Sequence, residues 1–75
     1  MKTADILNKL SDKNIAYLQR LGKAINNLIA QGYKDVAEGY KYTARGYIAG
    51  LIDADIISRD DFRGVWAWFT LLLDR

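Results

Sequence analysis

Residues 11–32, SDKNIAYLQRLGKAINNLIAQG, decide the fold class of this chain. Apolar side chains recur there every three or four residues and fall within about 140° of arc around a helix axis; they are Ile15, Leu18, Leu21, Ile25, Leu28 and Ile29. Ser11 precedes the run as an N-cap, and Gly32 follows it as a C-terminal stop. The stretch therefore predicts one long helix, over residues 12–31, with a single side facing a core.

Two neighbouring segments predict a first and a third helix. Thr3 can cap a short helix over residues 4–10, and residues 34–53 combine an apolar side with a strip of glycines. The apolar side consists of Val36, Tyr40, Ala44, Tyr47, Ile48 and Leu51, and the strip of Gly39, Gly46 and Gly50. Such a strip favours a close helix crossing or a partner's bulky side chain, and Gly22 in the second helix is also expected to admit a neighbouring helix. Core positions are expected for three tyrosines at heptad spacing, Tyr33, Tyr40 and Tyr47.

A fourth helix is predicted after Ser58. This serine is an N-cap, and Asp60 and Asp61 follow at the second and third positions beyond it, so the helix should run from Arg59 to the end of the chain. Proline is absent, and so are the Asn-Gly and Asp-Gly pairs of tight hairpins. The sequence therefore predicts an all-α fold: a compact bundle of three main helices with a short N-terminal helix, in a single domain over residues 1–75.

The last helix carries more apolar surface than one core-facing side requires. Its core stripe is predicted as Phe62, Val65, Trp66, Phe69, Leu72 and Leu73. Trp68 and Leu71 point about 120° and 180° away from Phe62, with Gly64 and Ala67 on the same far side. These four residues are the first candidate interface, for a protein partner or for a second copy of the chain. The alternative is that the first helix covers them with its own apolar residues, Ile6, Leu7 and Leu10.

A second candidate surface lies on the polar side of the third helix. Lys41, Tyr42 and Arg45 interleave an aromatic ring with basic groups, a combination that suits base stacking and phosphate contacts. A DNA-binding regulator is therefore an alternative function. However, residues 33–47 carry a net charge of only +1, and no helix has the pattern of a basic recognition helix. Nucleic acid is kept as an alternative partner but is not favoured.

Composition argues against catalysis. Cysteine and histidine are absent, which removes the usual nucleophile–base pairs and the preferred zinc ligands. The acidic run at Asp53 and Asp55 departs from a calcium loop, because Ile57 and Gly64 stand where oxygen ligands are needed. The remaining carboxylates are expected on wet faces and at helix ends, where little shifts their pKa values. We therefore expect a non-enzymatic protein with no cofactor, no metal and no small-molecule substrate.

Charge and hydropathy indicate a cytoplasmic protein with no membrane partner. The N-terminus lacks the apolar region of a signal peptide, and no uncharged stretch reaches the roughly 18 residues of a membrane span. Net charge is +2, with a balance of +3 over residues 1–24 and −2 over residues 53–75. This mild polarity differs from the basic stripe of a dedicated nucleic-acid binder.

Residues 44–62 resemble a helix–turn–helix pattern found in short orphan proteins of bacteriophages and mobile elements. The matching letters are ARGYIAGL at 44–51, ADIIS at 54–58 and DF at 61–62. The resemblance implies a small accessory protein that binds and modulates a host or element-encoded protein, and it assigns no functional residue. The sequence thus favours a protein that acts by protein–protein interaction, with a DNA-binding transcriptional regulator and a homo-oligomeric assembly unit as alternatives.

Overall fold

The computed structural model describes residues 3–73, with side chains from Asp5 onward. This part of the chain forms four helices and no strand: α1 (Thr3–Leu7), α2 (Asp12–Ala30), α3 (Lys34–Asp53) and α4 (Arg59–Leu71). The all-α bundle of three main helices with a short leading helix is confirmed. None of the described helices combines the length and hydropathy needed to cross a membrane.

Reciprocal hydrogen bonds set the first residues of α2 and α4. Asn14 N–H donates to Ser11 Oγ at 3.1 Å, and Ser11 N–H donates to Asn14 Oδ1 at 3.0 Å. Asp61 and Ser58 repeat this arrangement at 3.2 and 3.0 Å. Each pair satisfies backbone N–H groups that have no partner inside the helix. Both predicted N-caps are confirmed, whereas α1 begins at Thr3 itself, whose predicted capping side chain lies outside the described residues.

Helices α2 and α3 are each followed by a residue whose backbone lies in the left-handed region, with a positive φ. Gly32 has a φ of 86° and Asp55 a φ of 59°. In each case the N–H of the next residue donates to the carbonyl five positions back, at 2.8 and 2.9 Å, which satisfies one of the last helical carbonyls. The predicted stop at Gly32 is confirmed, and Asp55 fills the same role at the end of α3.

The core lies where α2, α3 and α4 meet. Its fully buried apolar side chains are Leu18, Ile25, Ala44, Ile48, Val65 and Phe69. Burial of each large side chain contributes about 1.5–3 kcal/mol to folding. A polar contact fastens α2 to α3 beside this core, because Asn14 Nδ2 donates to Tyr47 Oη at 2.7 Å while the Tyr17 and Tyr47 ring centroids lie 4.4 Å apart.

The end of α4 packs against α2 at Gly22. A Cβ atom at this buried glycine would lie 3.4 Å from Leu72 Cβ, so the close approach predicted there is confirmed. Asn26 Nδ2 donates to the Leu72 carbonyl at 2.9 Å in the same region. The prediction that the last helix reaches the end of the chain is wrong: α4 stops at Leu71, and Leu72 N–H turns to the Phe69 carbonyl three residues back.

The predicted core side of α3 is partly wrong. Its buried stripe is Ala37, Ala44, Ile48 and Leu51. Tyr33, Val36 and Tyr40 are 57%, 49% and 41% exposed, although all three were expected to be buried. The physical reason is direction around the helix: Val36 and Tyr40 point about 100° and 60° away from the neighbouring buried residue Ala37, and Tyr33 is the N-cap residue that precedes the first turn.

Candidate functional site

The first candidate surface, on α4, is divided by the packing of α1. Helix α1 packs against α4, and Ile6 and Leu10 are buried in that contact region of the core. A Cβ atom at Gly64 would overlap Ile6 Cδ1, so the Ile6 side chain fills the space above this glycine. The alternative predicted from the sequence, in which the first helix covers this surface, therefore holds at Gly64.

The other three residues of this surface differ in exposure. Trp68 is half-buried against the core cluster, whereas Ala67 and Leu71 are exposed, Leu71 to 73%. The buried side of α4 runs along Asp61, Val65 and Phe69. Trp68 lies only about 60° from Val65 around the helix axis, closer to the core than its angle from Phe62 indicated. The four candidates thus do not form one open patch.

Asp61 is a buried carboxylate that sequence reasoning placed only as a capping residue. It is 2% exposed, and its Oδ2 accepts hydrogen bonds from Lys9 Nζ at 2.7 Å and from Ser58 N–H at 3.0 Å. The hydrogen bond from Lys9, followed by that from Ser58, lowers the pKa of Asp61, while burial opposes the shift. The expectation that little shifts the carboxylates is wrong here. The sequence signal for this burial is that Asp61 lies four residues before Val65, and therefore on the same, core-facing side of the helix.

The second candidate surface is gathered in one cleft between α3 and α4. The cleft has a volume of about 190 Å³ and is lined by Glu38, Lys41, Tyr42, Arg45 and Trp66. The three residues proposed from the sequence therefore lie side by side. Trp66 joins them from α4, a contribution that depends on how the two helices pack and that no local pattern indicates.

Arg45 is the charge in this cleft that lies near aromatic rings. Its Cζ atom lies 5.9 Å from the ring centroid of Phe62 and 6.0 Å from that of Trp66, within the range of cation–π attraction. Lys41 Nζ donates to Glu38 Oε1 at 3.0 Å, but no described carboxylate pairs with Arg45. The Arg45 donors are therefore available to an anionic group from outside the chain.

A third surface, the outer face of α3, was expected to be core in part. It consists of Tyr33, Val36, Tyr40, Gly39, Gly46 and Gly50, all exposed. A Cβ atom at any of these glycines of α3 would have no atom within 4 Å. At its start the face adjoins a shallow depression of about 340 Å³ between Gly32 and Val36. No described helix crosses the glycine strip, so one of its two predicted uses, a close crossing within the chain, is not realised.

Neither metal chemistry nor relationship to known proteins assigns a function to these surfaces. Among the residues that the structure describes, no group of three or more acidic side chains is placed to hold a metal ion. No protein-family model, curated protein or solved structure matches this chain. The function must therefore be argued from the exposure, shape and charge of the surfaces themselves.

Proposed function

We propose that this protein is a non-enzymatic module that binds a partner protein through the outer face of α3. The observation that carries the proposal is the exposure of Tyr33, Val36 and Tyr40 beside a strip of uncovered glycines. Tyrosine provides a large, rigid contact surface at a low cost in side-chain entropy, which is why it is enriched at interfaces. Clustered exposed apolar side chains on a small domain mark an interaction site.

The occupant that fits this face is a helix of the partner. Glycines at 39, 46 and 50 leave a track of low relief along α3, interrupted by the small side chain of Thr43, over which another backbone can approach closely. A specific interface buries about 800 Å² on each partner. That area is about one-seventh of the total surface of 5221 Å², so the contact must extend along α3 beyond the three apolar side chains.

The target of this module is proposed to be a host protein. The resemblance of residues 44–62 supports a cytoplasmic modulator or inhibitor, from a phage or mobile element, of a host protein. Leu71 and Ala67 stay predicted as a smaller contact on α4, since both are exposed. Self-association through the same face is the competing function, and it is distinguished by the oligomeric state of the pure protein.

Site-specific cross-linking tests the proposal. A photo-reactive residue replaces Val36 in the full chain, and the matched control replaces Lys23, an exposed residue of α2. We expect position 36, but not position 23, to cross-link one discrete protein in cells that express the chain. The purified partner should then bind Val36→Asp at least about tenfold more weakly than wild type, because the interface would bury an unpaired charge.

Two results would contradict the proposal. One is equal cross-linking at positions 36 and 23, which would indicate non-specific capture. The other is unchanged binding of the purified partner to Val36→Asp, with Lys23→Asp, whose change in net charge is larger, as the control. In either case the outer face of α3 is not the site of docking.

A further inference from the structure

We propose that the cleft between α3 and α4 binds a carboxylate side chain from an acidic segment of a partner protein. This inference rests on the proposed function, because it presumes a protein partner, and it adds the chemistry of a second contact. Arg45 in the cleft lies about 180° from Val36 around the α3 axis, so the two contacts are on opposite sides of the helix.

The size of the cleft selects for a single side chain. Its volume of about 190 Å³ is below the roughly 300–1,000 Å³ of sites that enclose small-molecule ligands. A carboxylate with its short aliphatic stem fits this space, whereas a nucleotide with base, sugar and phosphate does not. The cleft is therefore better suited to one residue of a longer partner than to a free metabolite.

The placement of Arg45 favours an oxyanion, and a carboxylate matches its fork. Its guanidinium carbon lies 5.9 and 6.0 Å from the centroids of Phe62 and Trp66, at the outer limit of cation–π attraction, so the two rings favour this position of the side chain. A planar guanidinium can donate two parallel hydrogen bonds to a carboxylate, and a pre-positioned fork loses less entropy on binding.

Neighbouring charges favour an acidic run over a phosphate. Arg59 and Arg63 are exposed and lie within about 60° of Trp66 around the α4 axis, so further cations are on the same side of α4 as this lining residue. Glu38 on the cleft wall, paired with Lys41, repels a phosphate of up to two negative charges more than it repels a carboxylate. Successive acidic residues of a peptide can each meet one of these cations.

Nuclear magnetic resonance titration of the full chain with a capped tetraglutamate peptide tests the inference. We expect shifts centred on the Arg45 Nε–H and the Trp66 indole N–H, with binding that weakens as salt is raised. Arg45→Gln should weaken binding about tenfold, since it removes a charge-assisted hydrogen-bond donor. Arg20→Gln, an exposed arginine of α2, has the same change in net charge and should alter binding less than about twofold.

The inference is overturned if a capped tetraglutamine peptide shifts the same signals equally, because the carboxylate is then unnecessary. It is also overturned if Arg20→Gln weakens binding as much as Arg45→Gln, or if an oligothymidylate binds more tightly at these signals. Arg45→Lys is the second variant: it keeps the charge but loses the fork, and should weaken binding several-fold. If Arg45→Lys bound the peptide as tightly as wild type, a positive charge alone would be sufficient, and the proposed pair of parallel hydrogen bonds from the guanidinium would be wrong.

The two proposals fail separately. Tetraglutamate binding is measured on the pure chain and does not depend on whether a protein cross-links at position 36. Conversely, the absence of peptide-induced shifts would not affect the binding of a partner protein through Val36. If the cleft does not bind the peptide, the inference of an acidic segment is wrong, but the proposed docking on α3 still stands.

Discussion

At the start of α4, one oxygen of Asp61 has two structural partners. It accepts the N–H of Ser58, which caps the helix, and the ammonium of Lys9, which follows α1 in the chain. A negative charge in the first turn also interacts favourably with the helix dipole. Asp61 thus links the N-terminal segment to α4 through charge, while Ile6 and Gly64 link α1 to α4 through close packing.

The lowered pKa of Asp61 predicts a loss of stability in acid. An unfolded aspartate binds a proton near pH 4, and the folded one only at lower pH, so the unfolded state binds more protons as the pH falls. The stabilisation is therefore complete above the unfolded pKa and lost as the pH falls through the folded pKa. Asp61→Asn should be less stable than wild type at pH 7 and should depend less on pH below about pH 4.

Chemical denaturation at several pH values measures this effect, with Asp60→Asn as the control. Asp60 is the adjacent, exposed carboxylate, so its removal changes the net charge equally without touching Lys9. The linkage is contradicted if Asp61→Asn loses stability in acid as steeply as Asp60→Asn does.

The ends of the helices were predictable because their signals are local. Ser11, Ser58 and Gly32 act within a few residues of their own position, and the structure places caps or stops at all three. The outward exposure of Val36 and Tyr40 was not predictable from the helical wheel alone. It depends on which side of α3 the neighbouring helices α2 and α4 cover, which is a property of the packing and not of α3 alone.

The candidate surfaces also combine features that follow from one helix alone with features that depend on how the helices pack. Lys41, Tyr42 and Arg45 lie within one turn of a single helix, so their grouping follows from helical geometry. Trp66 enters their cleft from α4, and Ile6 reaches Gly64 from α1, both through tertiary packing. The sequence therefore identified three of the four side chains that α3 contributes to the cleft, but neither Glu38 nor the aromatic residue that completes it.

The packing of α1 on α4 predicts opposite effects of the same substitution at two glycines. Gly64→Leu should lower the free energy of unfolding by about 1–3 kcal/mol, because its side chain competes with Ile6 for space. Gly46→Leu should raise it by up to about 1 kcal/mol, since it improves helix propensity in open space. Denaturant unfolding measures both values, and hydrogen exchange should show faster amide exchange in α1 for Gly64→Leu alone. A stabilised Gly64→Leu with protected α1 amides would contradict the packing.

In the molecule as a whole, three long helices bury one core, and α3 leaves a larger share of its residues exposed than α2 or α4 does. The 75-residue chain has no disulfide to add stability, and its buried apolar residues line a single cluster. What distinguishes its surface is the separation of two features on α3: an apolar, glycine-rich outer face, and a cleft with an arginine held near two aromatic rings. A partner that uses both must contact two sides of the same helix.

Sedimentation velocity of the purified chain, over rising concentration, shows whether the outer face of α3 is open to a different protein or covered by a second copy of the chain. We expect a monomer of 8.5 kDa at every concentration, with Val36→Asp and Lys23→Asp sedimenting alike. A dimer that Val36→Asp dissociates and Lys23→Asp does not would show that a second copy of the chain covers this face, and would contradict the proposed binding of a different protein there.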